Sequence, residues 1–298
     1  MSGPPTRVPL LLNTGGGSAP ADPAAFAAEL DPRLEARPLP GREIPAAIER
    51  ELASGTRTIA VAGGDGTLRS AAEALLDSDA ALLAVPAGTL NHFARRLDIE
   101  TPERAGEALR AGREECVPVG TFDGRVFLNT LTFGEYARVL RVRTRFRRYI
   151  GKWPAAAIGF IDALVRSRRI AVTLELEDRS ITRRTALVWV GLGWGSFPVV
   201  HEAAERRAEP DLEVAVVRAH GLAAAALLLR LSARLVRREL PIRDEAIEVF
   251  HARRITIRSK RRLDATADGE IFRLSPPVEI TVRDRALRVL VPPARDDG

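Results

Sequence analysis

The chain reads Thr58-Ile-Ala-Val-Ala-Gly-Gly-Asp-Gly-Thr67 at the point that decides its fold, where an apolar run meets three glycines around one carboxylate. This pattern predicts a strand, a tight turn and a helix, because glycine permits positive φ and lets a ligand approach the main chain. Thr67 is predicted to N-cap the helix over residues 68–76. The glycines that shape the turn are Gly63, Gly64 and Gly66. Their N–H groups, followed by a helix N-terminus, favour binding of an anion such as phosphate.

Asp65 lies inside this predicted anion site, where a carboxylate needs a positive partner or a proton to accept. A nucleotide phosphate with Mg²⁺ accounts for both the glycines and the carboxylate. Gly-Gly-Asp-Gly is also an ordinary turn sequence, since aspartate and glycine are common turn residues. These four residues alone therefore do not distinguish a plain turn from a binding site, and the other motifs of the chain are needed.

Composition sets broad limits on the protein. With 298 residues, 46% of them hydrophobic, the chain can bury the core of one large or two ordinary domains. The single cysteine, Cys116, excludes an intramolecular disulfide framework and favours a reducing compartment. We find neither an apolar signal segment nor a run of about 18 uncharged apolar residues, which predicts a cytoplasmic protein without a transmembrane helix. The net charge is +6, but the chain is rich in arginine and alanine throughout, and this composition explains the charge. No nucleic-acid-binding motif is present, so we expect no nucleic acid partner.

Two further apolar runs also end in glycine-containing turns. Val8–Leu12 leads into Asn13-Thr-Gly-Gly-Gly-Ser18, and Ala81–Val85 leads into Pro86-Ala-Gly-Thr-Leu-Asn91. Thr89 is a candidate N-cap of the next helix and Asn91 a polar group in its first turn. Ligands of open parallel sheets bind at the carboxyl ends of strands, so these turns are expected to face one cleft.

The predicted secondary structure changes near residue 122, from alternating strands and helices to short strands. Before it, apolar runs alternate with helical patterns over 23–30, 44–53 and 102–111, which predicts a three-layer parallel α/β domain over 1–122. Beyond it, short β-rich runs predict a mainly antiparallel domain over 123–287, and the tail 288–298 is expected to pack back on the first domain. Helical insertions are predicted at 135–168 and 221–236. The β-rich runs lie at 125–131, 170–177, 182–191, 212–217, 246–250, 254–258, 270–274, 278–282 and 287–291.

The first insertion carries six basic residues interleaved with aromatic ones over 141–153. This composition suits peripheral binding to the inner face of a membrane and equally suits single-stranded nucleic acid. A solvated helix face with ordinary core aromatics explains it as well.

Taken together, these motifs resemble the diacylglycerol kinase catalytic-domain family. The segments that carry the resemblance are Asn13 to Ser18, Gly63 to Thr67, Pro86-Ala-Gly-Thr-Leu-Asn91, Phe127-Leu-Asn129 and Ala267-Asp-Gly-Glu270. Gly-Gly-Asp-Gly-Thr is shared with NAD kinases, whereas Pro-x-Gly-Thr-x-Asn and the late Asp-Gly-Glu are more specific to lipid kinases. The resemblance implies an N-terminal nucleotide-binding domain, a C-terminal β-sandwich-like domain and an ATP site in the cleft between them.

The resemblance also assigns residues to roles. It implies Glu270 as the catalytic carboxylate, with Asp268 close by, so that Glu270 or Asp268 would be the base. Asp65 would help to bind metal or orient the phosphates. The residues implied to line the ATP site are Asn13, Gly16, Ser18, Gly63, Gly64, Asp65, Gly66, Thr67, Thr89 and Asn91.

Two departures from the family pattern bear on a structural Mg²⁺. The family usually shows Gly-Asn where this chain has Gly191-Leu192, and its Asp-Asp-Gly-x-x-Asp/Glu segment becomes Ala208-Glu-Pro-Asp-Leu-Glu213 here. Oxygen ligands remain available from Glu209, Asp211 and Glu213, but a proline in place of glycine changes the turn.

The leading functional hypothesis is an ATP- and Mg²⁺-dependent lipid kinase of phospholipid metabolism. It would phosphorylate a hydroxyl of a diacylglycerol-like lipid at a membrane surface. One alternative is an NAD kinase-like small-molecule kinase, and another is a nucleotide- or lipid-binding protein without turnover. The sequence does not identify the acceptor lipid or the oligomeric state, for which a homodimer is one option.

Overall fold

The computed structural model describes residues 7–15, 20–134, 169–192, 211–218, 223 and 246–294. The chain divides into two compact units. The N-terminal unit comprises Met1–Val119 and Asp284–Gly298, and the C-terminal unit comprises Gly120–Arg283. The predicted insertions 135–168 and 221–236, and with them the basic stretch 141–153, lie outside the described residues except for residue 223.

Strands and helices alternate along the N-terminal unit. Its elements are β1 (Val8–Asn13), α1 (Pro23–Leu30), β2 (Leu34–Leu39), α2 (Ile44–Ala53), β3 (Thr58–Gly63), α3 (Asp65–Leu75), β4 (Ala81–Pro86), α4 (His92–Arg96) and α5 (Pro102–Ala111). A 3₁₀ turn, Gly41–Glu43, precedes α2. The chain passes between the units within β5 (Arg113–Phe122) and again within β16 (Val278–Val291).

A parallel sheet in the order β2-β1-β3-β4 forms the middle of this unit, and β16 adds to β4 through the parallel pair Val289 and Leu82. Every residue of β4 is buried, as expected of a parallel strand covered on both faces. Right-handed crossovers place α1 on one face of the sheet and both α2 and α3 on the other. In agreement, α1 contacts α5 while α2 contacts α3. The predicted three-layer α/β fold is confirmed.

The C-terminal unit is antiparallel. Its remaining strands are β6 (Arg125–Phe127), β7 (Thr130–Gly134), β8 (Ile170–Glu175), β9 (Ser180–Thr185), β10 (Leu187–Leu192), β11 (Leu212–Val217), β12 (Ile247–Ala252), β13 (Arg254–Arg258), β14 (Leu263–Ala267) and β15 (Glu270–Leu274). One sheet has the order β12-β11-β10-β7-β14-β15, and β16, β13, β8 and β9 pair in sequence in another. Buried apolar residues from both sheets, such as Val190 and Ile257, form one core. The predicted antiparallel second region is therefore confirmed.

Some strands begin and end at other residues than the sequence predicts, and the pairing of the strands in the two sheets accounts for the differences. The run predicted over 182–191 is two strands, because β9 and β10 belong to different sheets and the chain passes between them at Ala186. The runs predicted at 278–282 and 287–291 are one strand, β16, which crosses the boundary between the units. Neither β5 nor β14 was predicted, since β5 begins with three charged residues and β14 has only five residues, two of them polar.

Candidate active site

The ends of β1 and β3 form the point of the parallel sheet where a ligand is expected. From β1 the chain moves to β2 on one side, and from β3 it moves to β4 on the other. The crossovers therefore diverge between these two adjacent strands, which is where open α/β sheets bind ligands. Asn13 ends β1 and Gly63 ends β3, so the predicted turns lie at this switch point.

Asn13 connects the two strand ends. Its Nδ2 donates a hydrogen bond of 2.7 Å to Thr67 Oγ1, and its Oδ1 accepts one of 2.8 Å from the Gly15 N–H. Thr67 does not N-cap the helix as predicted, because α3 already begins at Asp65 and Gly64 occupies the cap position. A Cβ on Gly63 would lie 2.5 Å from Thr67 Cβ, so this position requires glycine.

The N-terminus of α3 presents backbone donors at the switch point. The first hydrogen bond of the helix runs from the Leu68 N–H to the Gly64 carbonyl. The N–H groups of Asp65, Gly66 and Thr67 therefore precede it and lack an intrahelical acceptor. Donors of this kind, together with the positive end of the helix dipole, suit a phosphate group.

A second glycine turn, after β4, packs against the first. A Cβ on Gly88 would lie 2.5 Å from Gly64 Cα, so only glycine allows the two backbones to approach this closely. The backbone of Asn91 is in the left-handed region, with φ of 51°. Its Oδ1 accepts a hydrogen bond of 2.8 Å from the Gly88 N–H, and its Nδ2 donates one of 3.0 Å to the Gly88 carbonyl. Sequence reasoning gave Gly88 no role, although its place in Pro-x-Gly-Thr was a signal.

Asp65 and Thr89 differ in how they relate to this second turn. Asp65 Oδ1 accepts a hydrogen bond of 3.0 Å from the Phe93 N–H, which joins α3 to the start of α4. No hydrogen bond within the described ranges reaches the other oxygen, Oδ2, which is therefore available for a cation. Thr89 is not the N-cap of α4 as predicted, because Asn91 occupies that position and Thr89 lies exposed in the loop. The predicted Gly16 and Ser18 lie outside the described residues.

In the C-terminal unit, Asp268 and Gly269 form the two-residue turn between β14 and β15. Both have positive φ, 45° and 89°, as a type I′ hairpin turn requires. Glu270, the predicted catalytic carboxylate, is the first residue after the turn and is exposed. Asp268 is 9% exposed, and its carboxylate accepts hydrogen bonds from the N–H groups of Leu128, Asn129 and Thr130. The catalytic roles of these two residues stay predictions.

The structural metal site stays a prediction, because the structure describes only two of its three carboxylates, Asp211 and Glu213. Asp211 Oδ2 lies 3.1 Å from His251 Nδ1, so an imidazole stands beside this carboxylate. Glu213 is buried and lies opposite His251 in the β11–β12 register. Glu209 lies outside the described residues, and within those ranges no cluster of three His, Cys, Asp or Glu side chains is arranged around a metal position. Sequence reasoning missed His251, which lies far from 208–213 along the chain.

The part of the chain that matches a known protein family contains the residues at the switch point. Residues 11–122 match the diacylglycerol kinase catalytic domain. The resemblance predicted from the motifs is thus confirmed for this segment, which contains the two glycine turns after β3 and β4.

Two bacterial relatives and one crystal structure extend the comparison. A probable lipid kinase YegS-like of Pseudomonas aeruginosa (strain UCBPP-PA14) is 39% identical over 31% of each chain, and one of Pseudomonas savastanoi pv. phaseolicola (strain 1448A / Race 6) is 36% identical over 41% of this chain and 40% of that one. This chain thus matches about a third of the length of the first relative. The crystal structure of a proposed diacylglycerol kinase from Bacillus anthracis str. Sterne has a TM-score of 0.74 at 20% identity, covering 96% of this chain and 98% of that one. At this identity the likeness shows the fold.

The structure also bears on membrane crossing. Across the described ranges, none of the helices has both the length and the apolarity that crossing a bilayer requires.

Proposed function

We propose that the protein is a lipid kinase that transfers the γ-phosphate of ATP to the hydroxyl of a diacylglycerol-like lipid. One observation carries the proposal: Asn13 and the two packed glycine turns assemble backbone donors at the switch point of a sheet, within residues that match the diacylglycerol kinase catalytic domain. Such backbone donors are what phosphoryl transfer chiefly needs, because its catalysis depends mainly on positioning the triphosphate and stabilising its charge.

In the proposed reaction, the N–H groups at the start of α3 bind phosphate oxygens of ATP. Glu270 accepts the proton of the lipid hydroxyl, the hydroxyl oxygen bonds to the γ-phosphorus, and the bond from that phosphorus to the β–γ bridging oxygen breaks to release ADP. Asp65 would hold Mg²⁺ through Oδ2, and the ion would neutralise charge on the phosphates. That Glu270 and the α3 N-terminus face one cleft stays a prediction, as does peripheral membrane binding through 141–153.

A nucleotide- or lipid-binding protein without turnover is the second candidate. The departures from the family pattern at 191–192 and 208–213 favour it, because they change the residues expected to hold a structural metal. An NAD kinase-like activity is the third, supported by the shared Gly-Gly-Asp-Gly-Thr sequence.

Transfer of radiolabel from γ-labelled ATP to a panel of neutral lipids in mixed micelles tests the proposal, with a lipid-free arm containing NAD. Wild type is expected to label a diacylglycerol, and Glu270→Gln to lower the rate by about 100-fold or more, the usual contribution of a general base. Glu279→Gln, another exposed glutamate of the C-terminal unit, is the matched control and should retain the wild-type rate. Labelling of NAD alone, or ATP binding without labelling of any lipid, would replace the proposal by one of the two alternatives.

A further inference from the structure

Asp268 lies next to Glu270 in sequence but makes a different set of contacts. Its Oδ2 accepts a hydrogen bond of 2.6 Å from the Leu128 N–H, and its Oδ1 accepts bonds of 2.9 and 3.0 Å from the N–H groups of Asn129 and Thr130. Three consecutive backbone amides thus point at one buried carboxylate. Lone pairs that these amides use are not available to accept a proton from a substrate.

The backbone of Asp268 strengthens the same connection. Its N–H donates a hydrogen bond of 3.0 Å to the Thr130 carbonyl, so these two residues bond reciprocally. Thr130 begins β7, the strand that pairs with β14 on the side away from β15. The side chain and main chain of Asp268 therefore attach the hairpin turn to the next strand inward.

Glu270 depends on this attachment because of where it lies. It is paired with Ala267 across the turn, and its strand, β15, is the last one of the described sheet. Within the described sheet, β14 and the two-residue turn set the course of the backbone at Glu270. Fixing the turn to residues 128–130 fixes the residue that follows it.

A second Asp-Gly turn in the same unit lacks this attachment. Asp123 and Gly124 join β5 to β6 and also have positive φ, 48° and 72°. Asp123 is exposed, and no hydrogen bond of its side chain is found among the described residues. The turn conformation alone therefore does not require a buried carboxylate.

From these contacts, and resting on the proposed function, we infer that Asp268 is a positioning residue that holds Glu270 in place through the 128–130 amides. It is not the proton acceptor itself. The inference changes the prediction from the Asp-Gly-Glu motif, in which both carboxylates stood as catalytic candidates.

A double-mutant cycle in the full chain tests the inference. Asp268→Asn keeps a residue suited to the left-handed turn but replaces one acceptor oxygen by a donor. It is expected to lower kcat for lipid phosphorylation about tenfold or more with an unchanged KM for ATP, and to have no further effect in a Glu270→Gln background. Asp268→Gly, which also permits the turn, serves if the asparagine variant does not fold. Asp123→Asn is the matched control, with kcat unchanged.

Equal losses of kcat from Asp268→Asn in the wild-type and Glu270→Gln backgrounds would overturn the inference, as would a variant with wild-type kcat. Hydrogen exchange gives a readout that does not need kinase activity. We expect the amides of residues 128–130 and of Glu270 to exchange at least about tenfold faster in Asp268→Asn, and at the wild-type rate in Asp123→Asn. If residues 128–130 exchange faster and Glu270 does not, Asp268 does not position Glu270. Absence of lipid kinase activity in wild type would reject the proposed function, and hydrogen exchange would still decide the role of Asp268.

Discussion

The 123–124 turn and the 268–269 turn have the same sequence, Asp-Gly, and the same positive backbone φ angles in one unit of the protein. They differ in what the aspartate side chain contacts. Asp123 is exposed, whereas Asp268 is buried and accepts hydrogen bonds from three backbone N–H groups. Asp-Gly therefore specifies the hairpin, while the neighbouring strand decides whether the aspartate carboxylate also binds residues that are distant in sequence.

The sheet explains the difference. The 268–269 turn follows a strand that pairs with β7, and Ala267 lies opposite Leu131, which brings the turn to the start of β7. The 123–124 turn closes the short β5–β6 pairing of Phe122 with Arg125. Only the first turn has a row of backbone donors within reach of its side chain.

The largest expected effect on stability comes from removing the acceptor at the 268–269 turn. Asp268→Asn should lower the free energy of unfolding by about 3 kcal/mol, because a buried N–H loses a charged acceptor and faces another donor. Asp123→Asn should leave it unchanged, because its side chain is exposed. Urea unfolding of both variants measures the difference in unfolding free energy, provided that the m-value is the same for both. Equal unfolding midpoints for the two variants would show that the Asp268 carboxylate stabilises the fold no more than that of Asp123.

A buried aspartate of the N-terminal unit, Asp31, is expected to give an intermediate effect. Its two carboxylate oxygens accept hydrogen bonds of 2.8 and 3.0 Å from the Arg33 guanidinium, which hold the pKa of Asp31 below its ordinary value. Asp31→Asn should cost about 2 kcal/mol at neutral pH.

The sign of the pH dependence follows from this lowered pKa. A carboxyl group with a depressed folded-state pKa stabilises the fold above its unfolded pKa, and this stabilisation is lost as the pH falls through the folded pKa. The gap between wild type and Asp31→Asn should therefore close in acid, as measured by urea unfolding over a pH series. Asp79→Asn, at an 87% exposed side chain, is the control and should follow wild type. A gap that stays constant with pH would show that Arg33 does not act through the charge of Asp31.

The smallest effect is expected at the two glycines, and it should be the same at both. A Cβ on Gly124 or Gly269 meets no heavy atom within 4 Å, so alanine adds only the strain of positive φ. Each Gly→Ala variant should lose about 1 kcal/mol of unfolding free energy. Unequal losses in urea unfolding would mean that the turns differ in backbone and not only in side-chain contacts.

Much of the N-terminal unit could be predicted from sequence because β1, β3 and β4 are buried along nearly their whole length and are rich in apolar residues. The predicted bounds of α1, α2 and α5 agree with the structure. The helix starts at Thr67 and Thr89 were wrong, since a start depends on where the chain leaves the preceding turn. Threonine is a good N-cap residue, but in this turn Thr67 instead accepts a hydrogen bond from Asn13.

The candidate residues of the C-terminal unit were less accessible to sequence reasoning. The Asp-Gly-Glu motif marked Asp268 and Glu270 but gave no sign that Asp268 is buried against residues 128–130, because that contact joins residues far apart in the chain. For the same reason no spacing indicated that His251 lies beside Asp211. Residues brought together only by strand pairing leave no periodic pattern.

A crystal structure of the wild-type protein with a non-hydrolysable ATP analogue and Mg²⁺ would show where the triphosphate binds. We expect its oxygens to be bound by the N–H groups of Asp65, Gly66 and Thr67, with the γ-phosphate directed toward Glu270. A triphosphate bound away from the ends of β1 and β3 would contradict this expectation. So would a Glu270 carboxylate more than about 10 Å from the γ-phosphate without a closing movement, since proton transfer requires hydrogen-bond reach.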